Sequence, residues 1–137
     1  MELHRYRKGA NAERELLKIL SSNGFSILRS AGSGVNPGIS QPDLIALRSG
    51  KILAFECKAW NSEYLSIPLN TFDDTSAWCD NAGADFFIAW KVPKKGWLFV
   101  KPHLFKRTEK NAIVSLKRAH AKAIQLDAIL GLVKTLQ

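Results

Sequence analysis

Apolar residues along this chain fall into short blocks whose spacing switches between helical and alternating. Within residues 9–22, Leu16, Leu17 and Leu20 recur at helical spacing and Asn23-Gly24 supplies a stop, which predicts a first helix. Residues 25–29 alternate and predict a short strand; residues 30–40, rich in Gly, Ser, Asn and Pro, predict an irregular loop. Residues 43–47 and 51–59 read as two strands joined by Arg48-Ser49-Gly50, short enough for an antiparallel hairpin. Asn70 is placed to cap a helix reaching Ala82, with Asp73 as capping-box partner, Gly83 as stop, and Phe72, Ser76 and Cys79 on one stripe. Residues 85–91 and 96–101 are two further strands around the turn Val92-Pro93-Lys94-Lys95. The tail from Ser115 is one helix or two short ones, with Leu116, Ala119, Ala123 and Ile124 inward. The order of helix, three strands, helix, two strands, helix predicts an α/β fold, a mixed central sheet of about five strands flanked by helices. No repeat or linker interrupts the 137 residues, so 1–137 is expected to form a single domain.

Charge and composition then narrow the function. No apolar run approaches the ~18 residues of a membrane span; the densest is Phe86-Phe87-Ile88-Ala89-Trp90. The charged N-terminus has no apolar run after it, and Cys57 and Cys79 fit neither a disulfide framework nor a zinc-ligand spacing. A cytoplasmic protein is expected. The net charge of +8 points to a polyanionic partner, because Lys and Arg that neutralise phosphates release counterions. Its distribution is uneven: residues 59–90 carry five acids and no Lys or Arg, whereas residues 91–137 carry eleven Lys and Arg against two acids. The acidic stretch is therefore expected to face away from nucleic acid or to meet a partner. Its helix, with Phe72, Trp78 and Cys79, reads equally as a dimer interface or as ordinary core.

The chemistry concentrates in residues 43–58. Strand alternation puts Ile52, Ala54, Glu56 and Lys58 on one face and Leu53, Phe55 and Cys57 on the other. A carboxylate and an ammonium at the end of an otherwise apolar strand are costly unless paired or ligated. Asp43 follows Pro42 at the start of the neighbouring strand, where a tight hairpin brings it towards Glu56. Glu13 lies one helical step before Leu16 and Leu17, so an acid sits on the apolar stripe. If that helix packs on the face bearing Glu56, then Glu13, Asp43 and Glu56 form an oxygen-rich site for a hard cation, magnesium before zinc. Such a site suits phosphodiester cleavage, with Lys58 holding or deprotonating the attacking water. Pro-Asp and Glu-x-Lys are each common by chance; their conjunction with a carboxylate on the preceding helix is what gives the pattern weight.

These residues also carry a resemblance. Arg7-Lys8-Gly9-Ala10-Asn11-Ala12-Glu13-Arg14-Glu15, Gly24-Phe25, Arg29-Ser30-Ala31-Gly32-Ser33, Pro42-Asp43 and Glu56-Cys57-Lys58 resemble the archaeal Holliday-junction resolvases, nucleases of the PD-(D/E)xK, restriction-endonuclease-like class. The resemblance implies a homodimer that binds four-way DNA junctions by structure and nicks two opposed strands symmetrically, leaving 5′-phosphate and 3′-hydroxyl ends. It implies Glu13, Asp43, Glu56 and the backbone carbonyl of Cys57 as ligands of Mg2+, one or two ions per subunit with Mn2+ as a substitute. Lys58 would serve the water, Ser33 would take part in cleavage, and Arg7, Lys8, Arg14, Arg29 and Ser33 would contact DNA. It further implies a place in recombination and repair, near the nucleoid, with a sliding clamp among conceivable partners. Two other readings stay open: a duplex, flap or restriction-type endonuclease of the same fold, which would also cut linear duplex, and a noncatalytic DNA-binding module. Three converging acids facing phosphates speak against the last, since without a metal they repel DNA.

Overall fold

The structure is a computed structural model that describes residues 2–30 and 40–131, with side chains described from Gly9 onward. In chain order the elements are α1 (Glu2–Ser22), β1 (Ser26–Arg29), β2 (Leu44–Arg48), β3 (Lys51–Lys58), β4 (Tyr64–Pro68), α2 (Leu69–Ala82), β5 (Asp85–Val92), β6 (Gly96–Val100), a 3-10 turn (Pro102–Leu104), β7 (Lys106–Arg107), β8 (Asn111–Ser115), α3 (Leu116–Lys122) and α4 (Leu126–Ile129). The main sheet has five strands in the order β1-β2-β3-β5-β6. Its neighbours are antiparallel except β3 and β5, whose parallel pairing requires the crossover through β4 and α2. The expected mixed sheet of five strands flanked by helices is what forms.

Local sequence explains the joints. Arg48 pairs with Lys51, so β2 and β3 are joined by the two residues Ser49 and Gly50, both at positive φ (51° and 81°). Two residues at positive φ match the right-handed twist of the strands they join. Gly83, at φ 69°, closes α2: its N–H donates to the Asp80 carbonyl and that of Ala84 to the Cys79 carbonyl. Ser115 caps α3, its hydroxyl accepting from the Arg118 N–H at 3.0 Å.

Two cores sandwich the sheet. On one face α1 places Ala12, Leu16 and Leu20 against Leu53, Phe55, Cys57, Phe87 and Phe99, with Ile129 and Leu130 closing the end. Truncating fully buried Leu16 to Ala would cost about 2–5 kcal/mol. On the other face Ile88, Trp90 and Leu98 pack on Phe72, Phe105 and a second sheet of three strands, ordered β4-β8-β7.

The departures from expectation have physical causes. α1 begins at Glu2, not near Gly9: a single glycine costs a helix only about 1 kcal/mol and does not stop it. Asn70 does not cap α2; Pro68 occupies that position without a side-chain bond, while Asp73 reaches across to Arg107, each guanidinium nitrogen donating to one carboxylate oxygen at 2.7 and 2.8 Å. Phe72 and Cys79 are buried within the chain itself. The three-stranded sheet was not expected at all. No helix among the described residues is long and apolar enough to cross a membrane.

Candidate active site

The hairpin builds the site. Continuing the β2–β3 register one step beyond its last pair, Leu44 with Phe55, sets Asp43 opposite Glu56 on one face of the sheet. The Cys57 backbone N–H donates to Asp43 Oδ2 at 2.8 Å, and the Ser30 N–H donates to the Asp43 carbonyl at 2.9 Å. The aspartate is thus held at both its carboxylate and its main chain. Lys58, two residues beyond Glu56 and so on the same face, brings Nζ to 3.6 Å from Glu56 Oε2.

The face bearing Glu56 is not the one α1 covers. α1 packs against Leu53, Phe55 and Cys57, whereas Glu56 faces α2, in a small cavity lined by Ile67, Thr71, Phe72, Thr75 and Ile88. The expectation that helix one sits over Glu56 is therefore corrected. Glu13 still acts on the site electrostatically: its charge raises the pKa of both Asp43 and Glu56. Its carboxylate is ion-paired with Arg29, the last residue of β1. Among the described residues no three Asp, Glu, His or Cys side chains are gathered into a finished metal cage.

Burial sets the protonation of the pair. It pushes Glu56 from 4.5 up to about 8, with the Asp43 charge adding to the rise and the Lys58 charge opposing it. Burial likewise lifts Asp43 from 3.8 to about 6, against the pull of the Cys57 N–H. Two buried carboxylates whose pKa values are raised, Glu56 by the Asp43 charge and both by that of Glu13, form a site that gains from a cation. The Cys57 thiol lies in the core on the α1 face and burial pushes its pKa well up, so its backbone, not its sulfur, reaches Asp43.

Of the remaining candidates, Arg14 is exposed beside Glu13 on α1. Arg7 and Lys8 fall in α1, in the part whose side chains are not described, and Ser33 lies outside the described residues. Residue spacing alone did not reveal the anchor of α1. Glu15 Oε2 accepts from Trp97 Nε1 at 2.8 Å and from Lys91 Nζ at 2.9 Å, tying the helix to β5 and β6. Nor did it reveal Thr71, Phe72 and Thr75 against Glu56, because their approach depends on the crossover.

A Pro-Asp at the mouth of one strand, a Glu-x-Lys on its hairpin partner and a mixed sheet between helices define the class: this is a nuclease fold of the PD-(D/E)xK type. A family model described as archaeal Holliday junction resolvase matches residues 4–137. A crossover junction endodeoxyribonuclease Hjc from Methanocaldococcus jannaschii is 34% identical over 134 residues, covering 98% of this chain and 95% of that protein. One from Archaeoglobus fulgidus is 36% identical over 104 residues, 76% of each chain. The solved structure of Archaeoglobus fulgidus Hjc, described as a Holliday junction resolvase from an archaeal hyperthermophile, matches with a TM-score of 0.79 at 27% identity, covering 95% of this chain and 99% of that one. The chain belongs to the archaeal Holliday junction resolvase family.

Proposed function

We propose that this chain, as a single nuclease domain, is a DNA endonuclease that resolves four-way junctions by paired, metal-dependent nicks, leaving 5′-phosphate and 3′-hydroxyl ends. The observation that carries the reading is the juxtaposition of Asp43, Glu56 and Lys58 at one end of a hairpin, with the Glu13 charge acting on both acids. A site built only to bind DNA has no use for buried acids beside phosphates.

The donor set fits a hard divalent cation, since it offers carboxylate oxygens and no sulfur or imidazole. Glu13, Asp43, Glu56 and the Cys57 carbonyl would hold it, Mg2+ with Mn2+ as substitute. Bound there, the cation supplies Lewis-acid polarisation of the scissile phosphate and acidifies a water. The protein supplies orientation. The Cys57 N–H fixes the direction in which Asp43 presents its carboxylate, and the Ser30 N–H fixes the start of its strand. Lys58, on the face of Glu56, holds the attacking water. Arg29, ion-paired with Glu13 in this structure, would meet a DNA phosphate once Glu13 turned to a cation. Arg7, Lys8, Arg14 and Ser33 extend the contact with DNA.

A four-way junction presents two equivalent strands, and a two-fold pair of sites meets that symmetry, so the working unit is a homodimer. A cytoplasmic, nucleoid-associated place among recombination and repair proteins, with a sliding clamp as a partner, accords with the reading.

Glu56→Ala tests the assignment. It is expected to abolish cleavage of a synthetic junction while leaving junction binding in chelator intact; a variant that still cuts would overturn it.

A further inference from the structure

The small sheet carries a groove that the site above does not use. In its register Leu65 pairs with Val114 and Ile67 with Ala112, and all four are buried. Alternation therefore sends Tyr64, Ser66, Ile113 and Ser115 to the outer face, joined by Lys106 opposite Ile113. Between this face and the Pro102–Leu104 turn runs a groove of about 660 Å3. Its floor is apolar, with Leu104 and Ile113, and its polar rim includes His103, Lys106 and Arg118; none of its lining residues is acidic. Arg118 is held in place by its Nε donating to the Leu104 carbonyl at 3.0 Å, and among the described residues neither Lys106 nor Arg118 forms an ion pair. Tyr64, 58% exposed, adds an aromatic ring to the same groove.

An apolar floor, an exposed ring and unneutralised cations complement a strand of nucleic acid whose bases are unpaired: rings stack while phosphates meet the cations. The groove is also near the cleavage site. Only five residues lie between Lys58 and Tyr64, which limits the distance to roughly 20 Å, about six base pairs of duplex. That connection is pinned, because Trp90 Nε1 donates to the Trp60 carbonyl at 2.9 Å and the Leu116 N–H to the Glu63 carbonyl at 2.7 Å.

We propose that this groove seats a short unpaired stretch of DNA strand, with Tyr64 stacking on a base and Lys106 and Arg118 against the phosphates. It rests on the junction-cutting reading and adds to it a second contact, for nucleotides opened at the crossover.

The test uses the full chain in chelator, with fluorescein-labelled oligothymidine of about ten nucleotides, a length within the site sizes of known single-strand grooves, read by anisotropy across a salt series. Tyr64→Ala is expected to weaken binding about tenfold while Tyr64→Trp retains it, and Lys106→Glu is expected to weaken it and flatten the salt slope. Both positions are exposed, so the fold tolerates the changes. Affinity that ignores Tyr64→Ala and Lys106→Glu overturns the proposal, as does a Tyr64→Ala change that alters oligomeric state instead, which would give the groove to a second copy. Wild-type protein that binds the oligonucleotide through Tyr64 but cuts no junction would uphold the groove and sink the junction reading. Wild-type protein that cuts junctions while its oligonucleotide affinity ignores the groove would do the reverse.

Discussion

Replacing Glu56 by glutamine should make the metal-free protein more stable while destroying its activity. In the folded chain burial and the Asp43 charge hold Glu56 near pKa 8, against 4.5 for the free group. A folded pKa raised above the unfolded one means that the folded state binds the extra proton, so stability is fully present below about pH 4.5 and is lost as pH rises through about 8. At pH 7 the unfolded chain has released a proton that the folded chain still holds, which costs folding up to about 3 kcal/mol at ~1.4 kcal/mol per pH unit. Relaxation of a site with 14% exposure reduces this, so a gain of about 1–3 kcal/mol is expected from Glu56→Gln, which removes the titration and keeps the shape. For a chain of this length that is a rise in Tm of roughly 3–10 °C. The assay is thermal unfolding in chelator at pH 5, 7 and 8. Wild type should melt lower as pH rises, and the advantage of Glu56→Gln should shrink at pH 5 to under about 1 kcal/mol. A wild-type Tm that holds steady or rises from pH 5 to 8, or a Glu56→Gln variant no more stable at pH 7, refutes the reasoning.

Other consequences can be measured in parallel. Arg29→Ala, by freeing Glu13 from its ion pair, should tighten divalent-cation binding in calorimetry while weakening junction binding and lowering its salt slope by about one; weaker cation binding would contradict the exchange of counter-ions. Arg48 donates to the Asn23 carbonyl at 2.9 Å and the Leu130 carbonyl at 3.1 Å and stacks over Phe25 at 4.0 Å, so Arg48→Ala should cost about 2–3 kcal/mol in urea unfolding. Trp97→Phe, which strips the Glu15 carboxylate of its indole donor, should cost about 1 kcal/mol and leave the sheet intact by circular dichroism; no loss would mean that the bond contributes nothing net.

How much could be read in advance depended on how local each interaction is. The hairpin was legible because Ser49-Gly50 suits only a tight turn and alternation then fixes which side chains share the Glu56 face. Glu13 was legible as an anomaly on an apolar stripe, yet a stripe says that a helix is buried, not which face of the sheet buries it; α1 chose the face of Phe55. β4 is short and ends in Pro68, and β7 is only two residues long, too short for any period to show. β4 and β8 pair across more than forty residues, so the groove they form was invisible to any window along the chain. Asp73 misled for a similar reason, since its partner Arg107 is brought to it by the fold.

The most direct test of the account is incubation of the full chain with an end-labelled synthetic four-way junction and a matched linear duplex, each with Mg2+ and with chelator. Paired nicks at symmetric positions, confined to the junction and dependent on Mg2+, are the predicted result. Equal cutting of both substrates, or cutting in chelator, would contradict it.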